Sequence, residues 1–536
     1  MAARVGADGQ RGQIDGISLI PGHRFAQIER RVPRPNGRIR GQGAADINNS
    51  THFVLLPTSL QLLHAATAKH RVSRALISPR RYRSRKYKEW CHWRKLSRLG
   101  VEPLECENSS LMRLRNNLWL AYTIGMLLLL APNPLAAASR GSERIFLPWV
   151  SSSQEPIEEV RALWVTRFDW TNFNSASPQK IDEIVANAAA AGFNVLFFQI
   201  RGEADAYYPS GLEPWAKRLS GTLGQDPGWD PLAYMVQQAH QQELQVHAYL
   251  NVYPLWADCD EGPPADTAPR HLYHILRDQH GVTENKSNGL MWEENGAVSC
   301  SGYQRVTPAS TVFEEHFLAV AGDLVQRYDI DGLHLDHIRY SGRDSSCDPV
   351  SAAKFGGECF SQEGYEDWQR QQINGLVSKL YAEVGSRKHH LWITAAVWPV
   401  YRDSWGWGAS SGYNDYYQDS KAWLAAGTID GIAPMIYSGS PDCERPYFWT
   451  AERWQILVQD YVQDSQGGMI IPGIGTRYCT SSDFDEIRAR IEIGRSLGAA
   501  GHALYSYRSL LAGEYFDDLA QGPYRVPAIL PELPRR

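Results

Sequence analysis

The chain has 536 residues, 43% hydrophobic, 11% aromatic and 21% charged, a globular composition that excludes wholesale disorder. A mean hydropathy of -0.39 with a single long apolar run excludes a polytopic membrane protein. The net charge of -5 conceals an asymmetry: residues 1–111 carry 20 Lys and Arg against 8 Asp and Glu, leaving 34 against 51 for residues 112–536. So acidic a bulk argues against nucleic acid as the main partner.

Residues 1–111 are Arg-rich and lack periodic apolar pattern. Their densest stretch, Arg80 to Lys95, interleaves Tyr82, Tyr87, Trp90 and Trp93 with basic residues. Such a stretch has the chemistry to touch RNA or a membrane surface. The preferred reading is a basic, low-order extension ahead of the true start, because a secretory signal begins at Met112. Arg113 and Arg115 form its positive region, Leu118–Leu130 its apolar run, and Ala136-Ala137-Ala138 its cleavage site before Ser139. The alternative is a signal anchor over Leu118–Leu135, and no Cys follows to carry a lipid. We therefore expect an extension (1–111), a signal peptide or anchor (112–138), a linker (139–156), one large domain (157–520) and a tail (521–536). The bulk is expected outside the cytoplasm, extracellular or in the cell envelope, with membrane contact only through the signal or anchor.

Cysteine usage agrees with export. Six cysteines follow the signal: Cys259, Cys300, Cys347, Cys359, Cys443 and Cys479. An even number in an exported chain points to disulfides. Spacing leaves connectivity open, and pairing sequence neighbours gives Cys259–Cys300, Cys347–Cys359 and Cys443–Cys479. Neither a CxxC nor a Cys/His spacing suggests zinc.

From Ala162 onward, apolar β-type runs alternate with amphipathic helical segments. The runs are 162–167, 194–200, 245–252, 332–338, 391–398, 431–437, 468–473 and 502–507. The intervening helical patterns cover 179–191, 231–242, 313–328, 364–384, 416–426, 452–464 and 483–497. This is the α/β arithmetic of a (β/α)8 TIM barrel, with long βα loops after strands three and four that hold four of the six cysteines. The loops after strands five and six, Asp403–Asn414 and Ser438–Tyr447, are also elaborated. A doubly wound open sheet competes less well, since no glycine fingerprint follows the first strand.

A barrel places its active site at the C-terminal strand ends. Strand four reads Asp331-Gly-Leu-His-Leu-Asp336, and alternation puts His334 and Asp336 on one face and the two leucines on the other. Asp336, followed by Arg339 and Tyr340, stands where a glycosidase nucleophile or stabilising base would sit. Strand two ends with Gln199 and Arg201 in phase and Glu203 beyond. Strand one ends with Arg167 and Asp169, and strand three presents His247, Tyr249 and Asn251 together. Amide, imidazole and guanidinium groups suit sugar hydroxyls because their hydrogen bonds are directional. Trp170, Trp215, Trp256, Trp398, Trp405, Trp407 and Tyr437 fall at or after strand ends, where flat faces either stack on sugar rings or fill the core.

These segments resemble the glycosyl-hydrolase-like family ten of bacteria, a (β/α)8 family. The resemblance rests on Arg161-Ala-Leu-Trp-Val-Thr-Arg-Phe-Asp-Trp170, Gly192-Phe-Asn-Val-Leu-Phe-Phe-Gln-Ile-Arg201, Tyr207-Tyr-Pro-Ser210 and Pro227-Gly-Trp-Asp-Pro-Leu232. It continues through Val246-His-Ala-Tyr-Leu-Asn251, Asp331-Gly-Leu-His-Leu-Asp336 and Ile432-Ala-Pro-Met-Ile-Tyr437. It implies hydrolysis of glycosidic bonds in cell-wall or extracellular polysaccharide, peptidoglycan glycan strands first among them. Asp169, Glu203, Asn251 and Asp336 fall where the family shows polar strand-end residues. His337 departs from the pattern, standing where many members have a second acidic residue, and this puts a paired-Asp mechanism in doubt.

The expected mechanism uses two carboxyls, Asp336 as nucleophile or base and a second as general acid. Glu203 is the first candidate, and Asp169, Asp403, Asp442 and Glu444 follow. Arg167, Arg201, His247, Asn251, His334, Arg339, Tyr340, Trp398 and Tyr437 are expected to hold the substrate. Neither metal nor cofactor is expected. A metal-dependent hydrolase would gather His247, Asp336 and His337, but strict alternation turns His337 away from Asp336. A barrel that binds glycan without cutting it is the other rival.

Overall fold

The computed structural model describes residues 155–360, 362–437, 447–480 and 482–533. The expected signal, the basic extension and most of the linker lie outside these residues, as do Asp442, Cys443 and Glu444.

Eight strands form the centre: β1 Val160–Val165, β2 Val195–Arg201, β3 Gln245–Asn251, β4 Gly332–Asp336, β5 Trp392–Val397, β6 Gly431–Pro434, β7 in two pieces, and β8 Gly501–Tyr505. All pair in parallel with their neighbours, and β8 pairs with β1. The β7 pieces are Met469–Ile470, paired with β6, and Gly473–Gly475, paired with β8. The sequence predicts one run over 468–473. Pro472 interrupts it because proline has no N–H to donate, yet its carbonyl still accepts from Ala503 N at 3.1 Å. The ring thus closes into the expected (β/α)8 barrel.

Because both faces of each strand are covered, the strands read as nearly continuous apolar runs. Alternation nonetheless sorts the side chains into two layers. Val160, Ala162, Trp164, Phe197, Tyr249 and Tyr437 face the barrel interior. Leu163, Val165, Phe198, Leu250, Leu333 and Leu335 pack outward under the helices.

Those helices are α1 Pro178–Ala191, α2 Pro231–His240, α3 Thr311–Arg327, α4 Tyr365–Glu383, α5 Ser420–Ala425, α6 Ala451–Gln463, α7 Asp483–Ser496 and α8 Tyr507–Gly513. Side chains of Asp230, Ser310, Asp419, Thr450 and Ser482 cap the starts of α2, α3, α5, α6 and α7, accepting hydrogen bonds from otherwise orphaned amides. The pattern over 416–426 shortens to α5 because Tyr417 adopts φ +51° and Asp419 takes the cap.

Residues beyond 520, expected as a C-terminal tail, pair at the base of the barrel. Ala528–Ile529 pairs in parallel with Ile157–Glu158. The buried Arg161 guanidinium lies 4.5 Å from the Tyr524 ring centre and donates to Val526 O at 2.8 Å. Burying that charge requires partners: Glu159 Oε2 supplies the counter-charge at 2.8 Å, and the segment after 520 supplies the carbonyls and the ring.

At the opposite end, the βα loops are pinned. Cys259–Cys300 closes the loop after β3, where Pro254–Trp256 also pairs with Gln304–Arg305, and Cys347–Cys359 closes the loop after β4. Both are expected pairings, while the third involves Cys443. Disulfides fit an oxidising compartment outside the cytoplasm. Among the described residues, no helix is long and apolar enough to cross a membrane.

Candidate active site

The floor of the site is built from neutral aromatic groups. His334 is fully buried, stacked on Phe197 with ring centres 3.8 Å apart. The Trp164 indole donates to its Nε2 at 3.0 Å, and its Nδ1 lies 2.9 Å from Thr394 Oγ1. An indole N–H only donates, so Nε2 carries the lone pair and Nδ1 the proton. Burial pushes this imidazole down to about 3. His247 lies deeper, against Gly332, and burial likewise holds it near 3. Both were expected to meet sugar. Packing inside the barrel instead makes them core residues, and His247 is too deep to join Asp336 and His337 around a metal.

Above this floor stands Asp336, 2% exposed at the C-terminal end of β4. The Tyr249 hydroxyl donates to its Oδ2 at 2.6 Å, the His337 amide to its Oδ1 at 2.6 Å, and Arg339 Nη1 to Oδ1 at 3.2 Å. Burial alone would raise this carboxyl, but His337, Arg339 and these hydrogen bonds outweigh it and hold it at about 2. It is a carboxylate at any physiological pH. The Arg339 guanidinium lies 5.6 Å from the Trp398 ring, and Trp398 is locked by its indole donating to Ser410 O at 2.7 Å. Tyr437 stacks on Tyr505 at 4.6 Å and packs edge-on to Trp164. Burial, Tyr505 and Asp336 raise its phenol well above its ordinary value.

A second group assembles from β1, β2 and the loop after β3. Arg167 Nη2 donates to Glu203 Oε1 at 3.2 Å and to the Tyr303 hydroxyl at 3.0 Å. The Ala257 amide donates to Glu203 Oε2 at 3.1 Å. Gly202 matters here, because a Cβ at this position would lie 3.0 Å from the Arg167 guanidinium. Behind this group runs an amide relay. The Arg167 amide donates to Gln199 Oε1, Gln199 Nε2 to Asn251 Oδ1, and Asn251 Nδ2 to Gly202 O. Asn251, expected to hold substrate, is fully buried and latches three strand ends together. The two groups meet where the Tyr303 ring packs edge-on to His337, with centres 5.7 Å apart.

Other expected site residues lie elsewhere. Arg201 is fully buried, and its guanidinium grips both oxygens of Glu213, Nη2 to Oε1 at 2.7 Å, and the carbonyls of Asn251 and Val252. It ties strand ends together and has no face left for a ligand. Asp169 accepts from the Thr166 amide at 2.6 Å and hydroxyl at 2.9 Å, and lies 3.6 Å from Arg508. Burial, only partly opposed by Thr166, raises it to about 6. None of these partners is shared with Asp336. Tyr340 packs edge-on to Tyr417 in the outer layer. Asp403 accepts the amides of Trp407 and Ala409 and shapes its own loop.

Two neighbours of these groups, Tyr303 and Arg305, stand outside the expected site residues, and a third, His337, stands where alternation does not put it. Tyr303 and Arg305 lie deep in a long irregular loop, marked only by nearby Cys300. Alternation turns His337 away from Asp336, but its φ of +51° breaks the alternation and brings its Nε2 within 4.0 Å of Asp336 Oδ2.

The sequence profile of the family described as "Glycosyl hydrolase-like 10" matches residues 159–468. Glycosyl hydrolase YngK of Bacillus subtilis (strain 168) is 26% identical over 417 residues, covering 74% of this chain and 77% of that protein. Glycosyl hydrolase DigH of Escherichia coli (strain K12) is 24% identical over 335 residues, covering 58% and 71%. The PgaB (BpsB) glycoside hydrolase domain from Bordetella bronchiseptica superposes with a TM-score of 0.47 at 13% identity, covering 70% of this chain and 100% of that one.

Proposed function

The chain belongs to the glycosyl hydrolase-like 10 family, and from that premise we propose that it is a glycosidase cleaving O-glycosidic bonds of a bacterial cell-wall or extracellular polysaccharide, with peptidoglycan glycan strands as the first substrate class. The observation that carries this reading is Asp336, an ionised carboxylate projecting into the barrel at the C-terminal end of β4. An electron-deficient sugar carbon forming above it would be stabilised by that charge or captured by it. Arg339 and Tyr249 orient the carboxylate and keep it from protonating. Glu203 serves as the second carboxyl, held between Arg167 and the Ala257 amide; displaced from that ion pair by substrate, it takes up a proton from solvent and passes it to the leaving oxygen. Arg339 and Trp398 form the wall on the β5 side, where a guanidinium and a flat ring suit sugar hydroxyls and sugar faces.

The test is product analysis by mass spectrometry after incubation with purified peptidoglycan strands, with and without stem peptides. Soluble fragments from the parent, absent with Asp336→Asn and Glu203→Gln, are expected. Equal release by Asp336→Asn would overturn the assignment of Asp336. One observation favours a second reading, a barrel that binds glycan without cutting it: Asp336 and Glu203 are each paired with an arginine. Binding without fragments, unchanged in Asp336→Asn, would select it.

A further inference from the structure

His337 follows the last residue of β4, where alternation would turn a side chain outward. Its left-handed φ of +51° turns the chain instead, and the imidazole is buried against the catalytic carboxylate. Left-handed backbone is unfavourable for a residue with a Cβ, so compensating contacts must hold this turn. The His337 amide supplies one, donating to Asp336 Oδ1 at 2.6 Å.

The ring's orientation follows from its neighbours. Nδ1 faces Arg339 Nη2 at 3.5 Å, and a guanidinium never accepts, so Nδ1 presents its lone pair and Nε2 bears the proton. That N–H lies 4.0 Å from Asp336 Oδ2, beyond a direct hydrogen bond. One oxygen about 2.8 Å from each would bridge the two. Such an atom must accept from Nε2 and donate to the carboxylate, which a hydroxyl does and an ether or carbonyl oxygen does not.

Three arginines, Arg339, Arg305 and Arg167, stand around this ring, with Tyr303 edge-on and Asp336 opposite. Burial first, then the arginines, outweigh the attraction of Asp336 and hold the imidazole down to about 3. A ring kept neutral in this way donates one hydrogen bond without competing for the Asp336 charge.

We propose that His337 is a substrate-contacting residue that clasps one sugar hydroxyl between its Nε2–H and Asp336 Oδ2. This rests on the assignment of Asp336 to the reacting sugar. His337 is not the proton donor of the reaction. Its role is to fix the ring of a hydroxylated substrate over the carboxylate.

Two variants and one spectrum test it. His337→Asn tolerates the left-handed turn but is too short to reach, whereas His337→Gln restores the reach with an amide N–H. With purified peptidoglycan strands, His337→Asn is expected to lose about 10- to 100-fold in kcat/KM and His337→Gln distinctly less, the range for one hydrogen bond to a charged network. The 15N shifts of the His337 ring, assigned by their loss in His337→Gln, should report a neutral Nε2–H form from pH 5 to 8. Equal activity in all three proteins, or a ring that is Nδ1-protonated or charged at neutral pH, would overturn the proposal. If the parent and Asp336→Asn alike release nothing, the glycosidase reading fails, and the ring spectrum still decides whether this donor exists.

Discussion

Arg201 was expected from the sequence to grip substrate, and its burial against Glu213 makes the opposite role testable. Both side chains have no exposed surface, and the guanidinium meets the carboxylate through Nε at 3.0 and 2.9 Å and Nη2 at 2.7 Å. His316 adds a contact to Glu213 at 3.1 Å. Burial raises the Glu213 carboxyl, but Arg201 and His316 overcome it and leave it at about 2 against 4.5 in the unfolded chain. A carboxyl lowered this far contributes about 3 kcal/mol at neutral pH. Replacing Arg201 with Met leaves the charge buried without its main partner and strips donors from two carbonyls, so a loss of about 3–5 kcal/mol is expected. The assay is urea unfolding followed by far-UV circular dichroism. Because the folded carboxyl sits below its unfolded value, the stabilisation is complete above pH 4.5 and fades as pH falls toward 2. The difference between parent and variant should therefore shrink in acid. Arg201→Met combined with Glu213→Leu should recover most of the loss, since a packed apolar pair avoids the stranded charge. An unchanged urea midpoint with weakened glycan binding would refute the structural role and return Arg201 to the substrate.

Three further outcomes are expected. Asp169, raised by burial from 3.8 to about 6, binds its proton more tightly folded than unfolded. Its own contribution to stability should therefore fall as pH rises from 4 to 6, by up to about 3 kcal/mol. Asp169→Asn should match or exceed the parent in thermal melts at pH 7 to 8, with the difference gone below pH 4. Gly332→Ala should cost about 1–3 kcal/mol in urea midpoint, because the new Cβ would stand 2.7 Å from the buried His247 ring. Removing the Cys259–Cys300 bridge, which spans 41 residues, should cost about 2–4 kcal/mol by calorimetry. It should also raise KM by loosening Tyr303 from Arg167.

Strand alternation was legible because burial on both faces of a barrel strand still distinguishes the interior from the helix layer. Leu333 and Leu335 therefore went outward and Asp336 inward, as the sequence reads. Two disulfides were legible because neighbouring cysteines shared a loop. His334 and His247 also lie on the inward face, but periodicity carries no information about depth, and depth separates a floor residue from a ligand. Arg201 misled for a related reason, since its partner Glu213 is twelve residues away in an irregular loop and has no periodic relation to it. His337 was hidden by a single backbone torsion that no residue pattern announces. Tyr303 and Arg305 were hidden because loop residues reach the site through a disulfide and a two-residue strand pairing rather than through a repeat.

The pairing of Ile157–Glu158 with Ala528–Ile529 has a consequence for how the protein can be handled and held. Both flanks of the barrel leave from its base, the face opposite Asp336. A surface, bead or fusion partner joined before residue 155 or after residue 533 would therefore leave the mouth pointing away from the attachment point.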